Sequence, residues 1–477
     1  MRVKANRFSK AFFAGLMVLL LCAMTAGAAA AADTSKPTKP ASLTAASVTT
    51  TAVRLTWQKS TDNVGVASYA VYKDSAYLTY TTKTEATITN LKPGTSYTFY
   101  VAAQDAAGNI SAASGKITVT TKSNAVSGKI IAGYYASWAA YSGYTPSDIP
   151  ASNLTHILYA FANVSSSNKI TLGDPEVDEK NFAELRALKT KYSSLKTLIS
   201  VGGWEWSGRF SNVASTAAKR ETFANSVVDF VVKYGFDGVD IDWEFPVSGG
   251  KADNAYRAAD KGNFTLLMKL LREKLDAQGN KDGKKYLVSI AGGSGKEYVG
   301  NVQLKSIAQY LDFGLVMAYD IHGYSDKYTD HNAPLYGSTD PSPQFVWSVD
   351  QAVQAWLGAG FPKAKLTVGV PFYGHRYSNV KGGGTGIYKT YSGYKSLDYD
   401  DIVSGYLSDK SYTRYYGTAG RTPWLFNGST FITYEDAASL SEKAAYIKNQ
   451  GLAGAGIWEL SQNANGTLLK ALFKNLK

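Results

Sequence analysis

The chain has 477 residues, too many for one ordinary domain, so two or three domains are expected. Its net charge of +12 comes without a cluster of lysine or arginine, which excludes a nucleic-acid-binding surface and indicates a solubility role for the charge. The single cysteine, Cys22, lies in the N-terminal leader, which excludes disulfides and thiolate metal sites from the mature chain.

The first 32 residues predict a secretory signal peptide. Four basic residues and no acidic residue precede the apolar run "AFFAGLMVLLLCAMTAG", and small residues follow it as far as Ala32. The apolar run is short for a membrane span, which argues against an uncleaved anchor. Leu21 stands before Cys22 where lipoprotein processing needs a small residue. We therefore expect cleavage near Ala32 and a secreted, extracellular protein with no membrane attachment after signal cleavage.

Residues 33–40 form a polar linker, and residues 41–122 alternate apolar and polar side chains in short runs separated by turn signals. This pattern predicts an all-β, immunoglobulin-like sandwich. Trp57 and the stretch "LKPGTSYTFYV" resemble a fibronectin type III domain, with Tyr97 at its tyrosine corner. The resemblance implies a spacer or docking module without chemistry of its own. A second linker is expected at 123–128.

Residues 129–477 have a different pattern, in which apolar, strand-like runs recur between amphipathic stretches. Strands that alternate with helices indicate parallel pairing, and eight such units predict a closed (β/α)8 TIM barrel. The seventh and eighth runs are separated by about residues 376–444, a segment rich in Tyr, Gly and Asp that predicts a small inserted α+β lobe. The eight runs are "KIIAGYYASW", "LTHILYAFANV", "LKTLISVGGW", "FDGVDIDWEF", "KYLVSIAGG", "FGLVMAYDI", "KLTVGVPFYG" and "GAGIWELS".

The fourth run carries its chemistry on one face. Asp240, Asp242 and Glu244 are spaced two apart and point into the barrel, whereas Asp237 is out of phase and is expected to be structural. The interiors of the eight runs contain no Lys or Arg, which argues against salt bridges. Stacked carboxyl groups in a closed space must share protons. Glu244 comes last, where barrel enzymes keep catalytic groups. A protonated acid backed by carboxylates suits glycoside hydrolysis, and acids on one strand suit a substrate that supplies its own nucleophile.

Four motifs resemble glycoside hydrolase family 18, the chitinases and their relatives. The pattern D-x-x-D-x-D-x-E in "DGVDIDWE" is similar to the signature of this family. "SVGG", "MAYD" and "GAGIWELS" are similar to its motifs on the third, sixth and eighth strands. The resemblance covers the chain from about Lys129 to the C-terminus and includes the inserted lobe, which is typical of one subfamily.

The resemblance implies roles for the acidic strand. Glu244 would act as general acid and then as base. Asp242 would turn toward Glu244 and hold the acetamide of the substrate, whose carbonyl oxygen attacks the anomeric carbon to give an oxazolinium ion. Asp240 would share a proton with Asp242 in the resting state, supported by Ser200 and Tyr134. The reaction would retain anomeric configuration without a covalent enzyme intermediate, an exception to the scheme with two carboxylates.

The resemblance also implies residues that bind substrate. Tyr319, counted with the catalytic group, would donate a hydrogen bond to the acetamide, and Asp320 would contact the distorted sugar. The remaining positions are Trp458 under the reacting ring, Trp204 and Trp138 as stacking positions on the leaving and non-reducing sides, and Met317 and Tyr373.

The chain departs from the family pattern at two places. After "MAYDIHG", close relatives often place Trp where Ser325 stands, next to Tyr324, which puts stacking on the leaving side in question. After "VPFYG" an Arg is common, whereas here His375 comes first and Arg376 second. Neither Tyr324 nor Arg376 is assigned a catalytic role.

The implied activity is that of a secreted chitinase, which hydrolyses β-1,4 bonds between N-acetylglucosamine units. Its partners would be chitin and chito-oligosaccharides, and the protein would be a monomer. The four histidines are scattered and form no two-His helix motif, so neither a metal nor a cofactor is expected. One alternative is an endo-β-N-acetylglucosaminidase acting on other glycans. Another is a non-hydrolytic chitin-binding lectin, although such relatives usually lack the acid at the position of Glu244.

Overall fold

The computed structural model describes residues 33–49, 51–92, 95–121, 128–338 and 346–477. The predicted signal peptide, Cys22 and nearly all of the second linker lie outside these ranges. The chain divides into two compact units between residues 125 and 126. Among the described residues, the helices are all too short or too polar to cross a membrane.

The first unit is an all-β sandwich. Its strands are Ala41–Val48 (β1), Val53–Gln58 (β2), Val66–Lys73 (β3), Ala76–Thr81 (β4), Glu85–Ile88 (β5), Ser96–Asp105 (β6) and Ile117–Thr120 (β7). One sheet has the order β1-β2-β5 and the other the order β4-β3-β6-β7, with antiparallel pairing throughout. Strands β2 and β6 bury alternate side chains in the core that the two sheets share.

The core of the sandwich contains the predicted aromatic residues. Trp57 is buried and packs edge-on against Tyr69, with ring centroids 5.5 Å apart. The hydroxyl of Tyr97 accepts a hydrogen bond of 2.8 Å from the backbone N–H of Lys92, five residues upstream. This is the contact that defines a tyrosine corner.

The second unit is built on a closed parallel barrel, as the sequence predicts. The strands of this unit are Ile130–Ala136 (β8), His156–Val164 (β9), Ile170–Thr171 (β10), Lys196–Gly202 (β11), Gly238–Asp242 (β12), Leu287–Gly293 (β13), Phe313–Met317 (β14), Leu366–Pro371 (β15), Tyr373–Ser378 (β16), Gly393–Asp398 (β17), Thr413–Tyr416 (β18), Pro423–Phe426 (β19), Phe431–Thr433 (β20) and Gly454–Trp458 (β21). The parallel ring consists of eight of them, β8, β9, β11 to β15 and β21, and β8 closes it by pairing with both β21 and β9.

Helices between the strands cover the outside of the barrel. The helix before β12 buries Phe223, Val227, Phe230 and Val231, the apolar stripe that the sequence shows at helical spacing. The helices are Asp178–Lys191 (α1), Gly203–Trp206 (α2), Phe210–Ala214 (α3), Ala217–Tyr234 (α4), Asp260–Asp282 (α5), Lys296–Asn301 (α6), Leu304–Ile307 (α7), Val349–Gly358 (α8), Tyr399–Ile402 (α9), Ala437–Asn449 (α10) and Thr467–Leu476 (α11).

The inserted lobe is a five-stranded antiparallel sheet with the order β17-β16-β20-β19-β18. It runs from Tyr373 to Thr433, so it begins and ends earlier than the boundaries of 376 and 444 expected from the sequence. The predicted C-terminal boundary cuts through α10, whose buried face contains Leu440, Ala444 and Ile447. Helix α10 contacts β21 and α11, so it belongs to the barrel. The sequence pattern could not separate this helix from the lobe because both precede the last strand.

Candidate active site

Strand β12 directs its acids into the barrel and its apolar side chains outward. Asp240 and Asp242 are buried inside, while Val239, Ile241 and Trp243 join the core between strands and helices. Trp243 stacks on Phe210 at 5.5 Å. The structure thus has the inward and outward faces of the strand that the sequence predicts.

Asp237 stands apart from the other acids. It precedes β12, accepts a hydrogen bond from the backbone N–H of Thr197 at 2.9 Å and pairs with Lys189 at 2.9 Å. Its carboxylate therefore ties the base of the barrel to α1, a structural role at the end opposite Glu244.

Three hydroxyl groups surround Asp240. Tyr134 and Ser200 donate hydrogen bonds to Oδ2 at 2.9 and 2.8 Å, and Ser289 donates to Oδ1 at 2.7 Å. Burial raises the pKa of Asp240, and these three hydrogen bonds oppose the rise. Ser289 was not identified from the sequence. The strand register explains its position, because Ser200 and Ser289 are the direct partners of Asp240 on β11 and β13.

Asp242 lies between the other two acids, and its hydrogen bonding is incomplete. It is buried, and none of the described residues forms a hydrogen bond with its Oδ1 atom. Burial, followed by the charges of Glu244 and Asp240, raises its pKa well above the ordinary value. A buried acceptor without a donor is costly. This carboxyl group is therefore suited to share a proton or to accept a donor from a ligand.

Glu244 lies two residues beyond the end of β12, and its backbone is held on both sides. The backbone N–H of Glu244 donates to Oγ of Ser207 at 2.8 Å, and its carbonyl accepts from Nδ2 of Asn254 at 2.8 Å. The side chain is half-buried. Burial, with a smaller contribution from the charge of Asp320, raises its pKa to about 8. The carboxyl group is consequently protonated at neutral pH, as a general acid must be.

The end of β14 brings a second group of predicted residues to the same place. Tyr319 is buried, and burial together with the charges of Asp242 and Glu244 raises its pKa well above the usual tyrosine value, which keeps its hydroxyl protonated. The hydroxyl of Tyr373 donates to Oδ1 of Asp320 at 2.7 Å. Met317, the last residue of β14, is half-buried and lines the cleft above the barrel.

Aromatic side chains line this cleft, whose volume is about 930 Å³. Trp458 is one of them and stacks on Phe161, with ring centroids 5.7 Å apart. Trp138 and Trp204 both line the cleft and are 48% and 44% exposed. Exposed aromatic side chains in a cleft are typical of a ligand-binding groove. Phe161 was not identified from the sequence because a Phe inside a strand is indistinguishable from a core residue.

At the two positions where the chain departs from the family pattern, Tyr324 and His375 line the cleft and Arg376 does not. Tyr324 is 72% exposed and lines the cleft beside Ser325. His375 also lines the cleft, whereas the Nη1 atom of Arg376 donates to the hydroxyl of Tyr406 at 3.1 Å. Arg376 therefore does not occupy the position next to the acids.

The chain forms a closed (β/α)8 barrel, and a row of acidic side chains on one strand leads to an aromatic cleft at the C-terminal end of the barrel. This is the architecture of a barrel glycoside hydrolase. The chain belongs to glycosyl hydrolases family 18, whose family model matches residues 130–463. A fibronectin type III domain matches residues 36–120. Both resemblances seen in the sequence are confirmed.

Known relatives agree with this assignment. The chain is 43% identical over 408 residues to Chitinase A1 of Niallia circulans, covering 72% of this chain and 58% of that protein. It thus spans little more than half the length of that relative. A family 18 N-acetylglucosaminidase from Paenibacillus barengoltzii is 36% identical with a TM-score of 0.67, covering 73% of this chain and 100% of that one. Chitinase ChiA74 from Bacillus thuringiensis is 34% identical with a TM-score of 0.69, covering 73% and 70%.

Proposed function

We propose that this protein is a chitinase that hydrolyses β-1,4 bonds between N-acetylglucosamine units of chitin by substrate-assisted, retaining catalysis. The observation that carries the proposal is the line of Asp240, Asp242 and Glu244, which leads from the closed barrel to a protonated acid in an aromatic cleft. The names of Chitinase A1 and Chitinase ChiA74 support chitin as the substrate.

In the first step Glu244 gives its proton to the glycosidic oxygen, and the bond from the anomeric carbon to that oxygen breaks. The carbonyl oxygen of the 2-acetamido group forms a bond to the same carbon from the opposite side, giving an oxazolinium ion. In the second step Glu244 takes a proton from water as the water oxygen bonds to that carbon, and the bond from the carbon to the acetamide oxygen breaks, which restores the acetamide. The two inversions give net retention, and no carboxylate becomes bonded to the sugar.

Asp242 is the group that we assign to the acetamide. Its Oδ1 atom has no donor among the described residues, so an acetamide N–H would satisfy it and orient the carbonyl oxygen toward the anomeric carbon. When Asp242 accepts the acetamide N–H as a carboxylate, the proton that the two acids share would stay on Asp240, beside its three hydroxyl partners. The hydroxyl of Tyr319 would donate a hydrogen bond to the acetamide oxygen, and Trp458 would lie under the ring.

The products of an N-acetylglucosamine hexamer test the proposal. We expect short N-acetylglucosamine oligomers whose new reducing ends are the β anomer at the earliest times, because the mechanism retains configuration. Proton NMR during the reaction distinguishes the anomers. The matched control is a hexamer of glucosamine, which lacks the acetamide and should not be cleaved. Initial release of the α anomer, or cleavage of the control at a similar rate, would exclude substrate assistance.

The same time course tests a second candidate function. The similarity to the family 18 N-acetylglucosaminidase favours an enzyme that releases single sugars. Monomer as the main product from the first time point would support that function, whereas dimers and longer oligomers support a chitinase. The absence of products together with tight binding of the hexamer would indicate a lectin.

The pH dependence of kcat/KM follows from the protonation of Glu244. Because its pKa is raised to about 8, the acid form persists at neutral pH. We expect kcat/KM to fall as the pH rises through about 8, where the free enzyme loses this proton. Initial rates on the hexamer across neutral and alkaline pH would measure this limb. A basic limb near the ordinary carboxyl value of 4.5 would contradict the protonated state of Glu244.

We further propose that the protein acts outside the cell, as a monomer on chitin and chito-oligosaccharides, after removal of residues 1–32. The basic and apolar leader supports secretion. The N-terminal sandwich is proposed as a spacer or docking module. The N-terminus of protein recovered from the culture medium would test the cleavage site, and a mature chain that keeps its apolar leader would contradict it.

A further inference from the structure

His375 belongs to the cleft because of strand alternation. It follows Tyr373 by two residues on β16, so both side chains lie on the same face, whereas Arg376 lies on the opposite face. His375 is 1% exposed and lines the cleft, although the imidazole has no part in the reaction steps proposed above.

The imidazole lies between the inserted lobe and the barrel. Its Nδ1 atom is hydrogen-bonded to the hydroxyl of Tyr394 on β17 at 2.7 Å. Its Nε2 atom is 3.1 Å from Oδ1 of Asp320, at an angle outside that of a hydrogen bond. When Tyr394 donates to Nδ1, the ring proton is on Nε2 and faces Asp320. A small movement of the Asp320 side chain would complete this hydrogen bond.

Asp320 has an unfavourable backbone conformation and a largely exposed side chain, so contacts that fix its carboxylate matter. Its backbone has φ of +50°, a left-handed conformation that is unfavourable for a side chain with a Cβ atom. Its N–H donates to Oδ1 of Asn332 at 2.7 Å, which holds the backbone, but its side chain is 61% exposed. Both Tyr373 and His375 contact Oδ1, which leaves Oδ2 available for a sugar hydroxyl.

We propose that His375 is a positioning residue that fixes the Asp320 carboxylate against the sugar ring at the cleavage point and ties it to the inserted lobe through Tyr394. This inference depends on the proposed function, because Asp320 is assigned to the distorted sugar there. Asp320 would contact that sugar most strongly in its distorted form, so the imidazole should act on the transition state more than on binding. Asp320 and Glu244 line the same cleft.

Steady-state kinetics on the N-acetylglucosamine hexamer test this role. For His375→Ala we expect kcat to fall by about 10- to 100-fold, since misplaced catalytic groups lose up to that much, with KM changed by less than about twofold. His375→Gln keeps a donor amide on a side chain of comparable reach and should recover part of the loss. Arg376→Gln is the matched control, because this neighbour faces away from the cleft, and it should keep both constants.

A purely structural role would give a different result. If His375 only stabilises the lobe, His375→Ala and Arg376→Gln should both lower the thermal midpoint and leave kcat near the wild-type value, which would overturn the proposal. Tyr394→Phe removes only the hydroxyl that holds Nδ1 and decides the question if His375→Ala does not fold. It should lower kcat selectively, and an unchanged kcat would overturn the proposal. Loss of the proposed function itself would appear separately, as full activity of Glu244→Gln.

Discussion

Replacing Glu244 by glutamine is expected to lower kcat on the N-acetylglucosamine hexamer by roughly 10²- to 10⁴-fold, the range that a general acid contributes. Glutamine has nearly the same shape but carries no acidic proton, so the leaving oxygen would depart as an alkoxide. The half-buried side chain and the two hydrogen bonds that hold its backbone do not depend on the charge of the carboxyl group.

Binding separates the loss of chemistry from the loss of the site. Isothermal titration of the hexamer into Glu244→Gln should give a dissociation constant close to the KM of the wild type, because the aromatic side chains that line the cleft are unchanged. The substitution replaces a group that is already neutral at neutral pH, so it should not unfold the cleft. A variant that binds and still cleaves at the normal rate would show that another group is the acid.

Strand alternation predicts the three acids of the site, and the resemblance to glycoside hydrolase family 18 predicts the residues around them. Asp240, Asp242 and Glu244 alternate with apolar residues that a barrel strand turns outward, so the three acids are expected to face the barrel interior. Asp237 could be set aside for the same reason, and the structure pairs it with Lys189. The alternation thus predicts which acids of β12 face the barrel interior, and their chemistry leads to the hypothesis of glycoside hydrolysis, whereas the roles of the other site residues follow from the family resemblance.

Supporting residues could not be predicted, because their positions depend on how distant segments pack. Ser289 becomes a partner of Asp240 only through the register of β12 and β13. Ser207, at the start of a 3-10 turn, and Asn254 hold the backbone of Glu244 from segments that are distant in the sequence. Nothing in their sequence context distinguishes them from surface residues. A serine in phase with an interior acid on a neighbouring strand is the one signal that could have identified Ser289.

The order of His375 and Arg376 illustrates the same limit. In the sequence, Arg376 looks equivalent to an arginine at position 375. On a strand, however, a shift of one residue moves a side chain to the other face. The structure directs Arg376 toward Tyr406 and His375 toward Asp320. This position of the cleft therefore holds an imidazole in place of a guanidinium.

Asp242→Asn is expected to lower kcat by about 10²- to 10³-fold, comparable to the loss of one electrostatic contact at a transition state. Asparagine keeps the shape and can accept a hydrogen bond from the acetamide, but it has no charge to stabilise the developing oxazolinium ion. It also cannot exchange a proton with Asp240. Rates on the hexamer, with the concentration of folded enzyme taken from hexamer binding, would measure this loss.

Asp237→Asn is the matched control, because it makes the same chemical change a few residues earlier in the chain. Its carboxylate contacts Lys189 and the backbone of Thr197, outside the cleft. We expect an unchanged kcat and a lower thermal midpoint, since Lys189 would lose its partner. The opposite pattern, with Asp237→Asn reducing turnover and Asp242→Asn leaving it intact, would mean that the inward face of β12 does not carry the reaction.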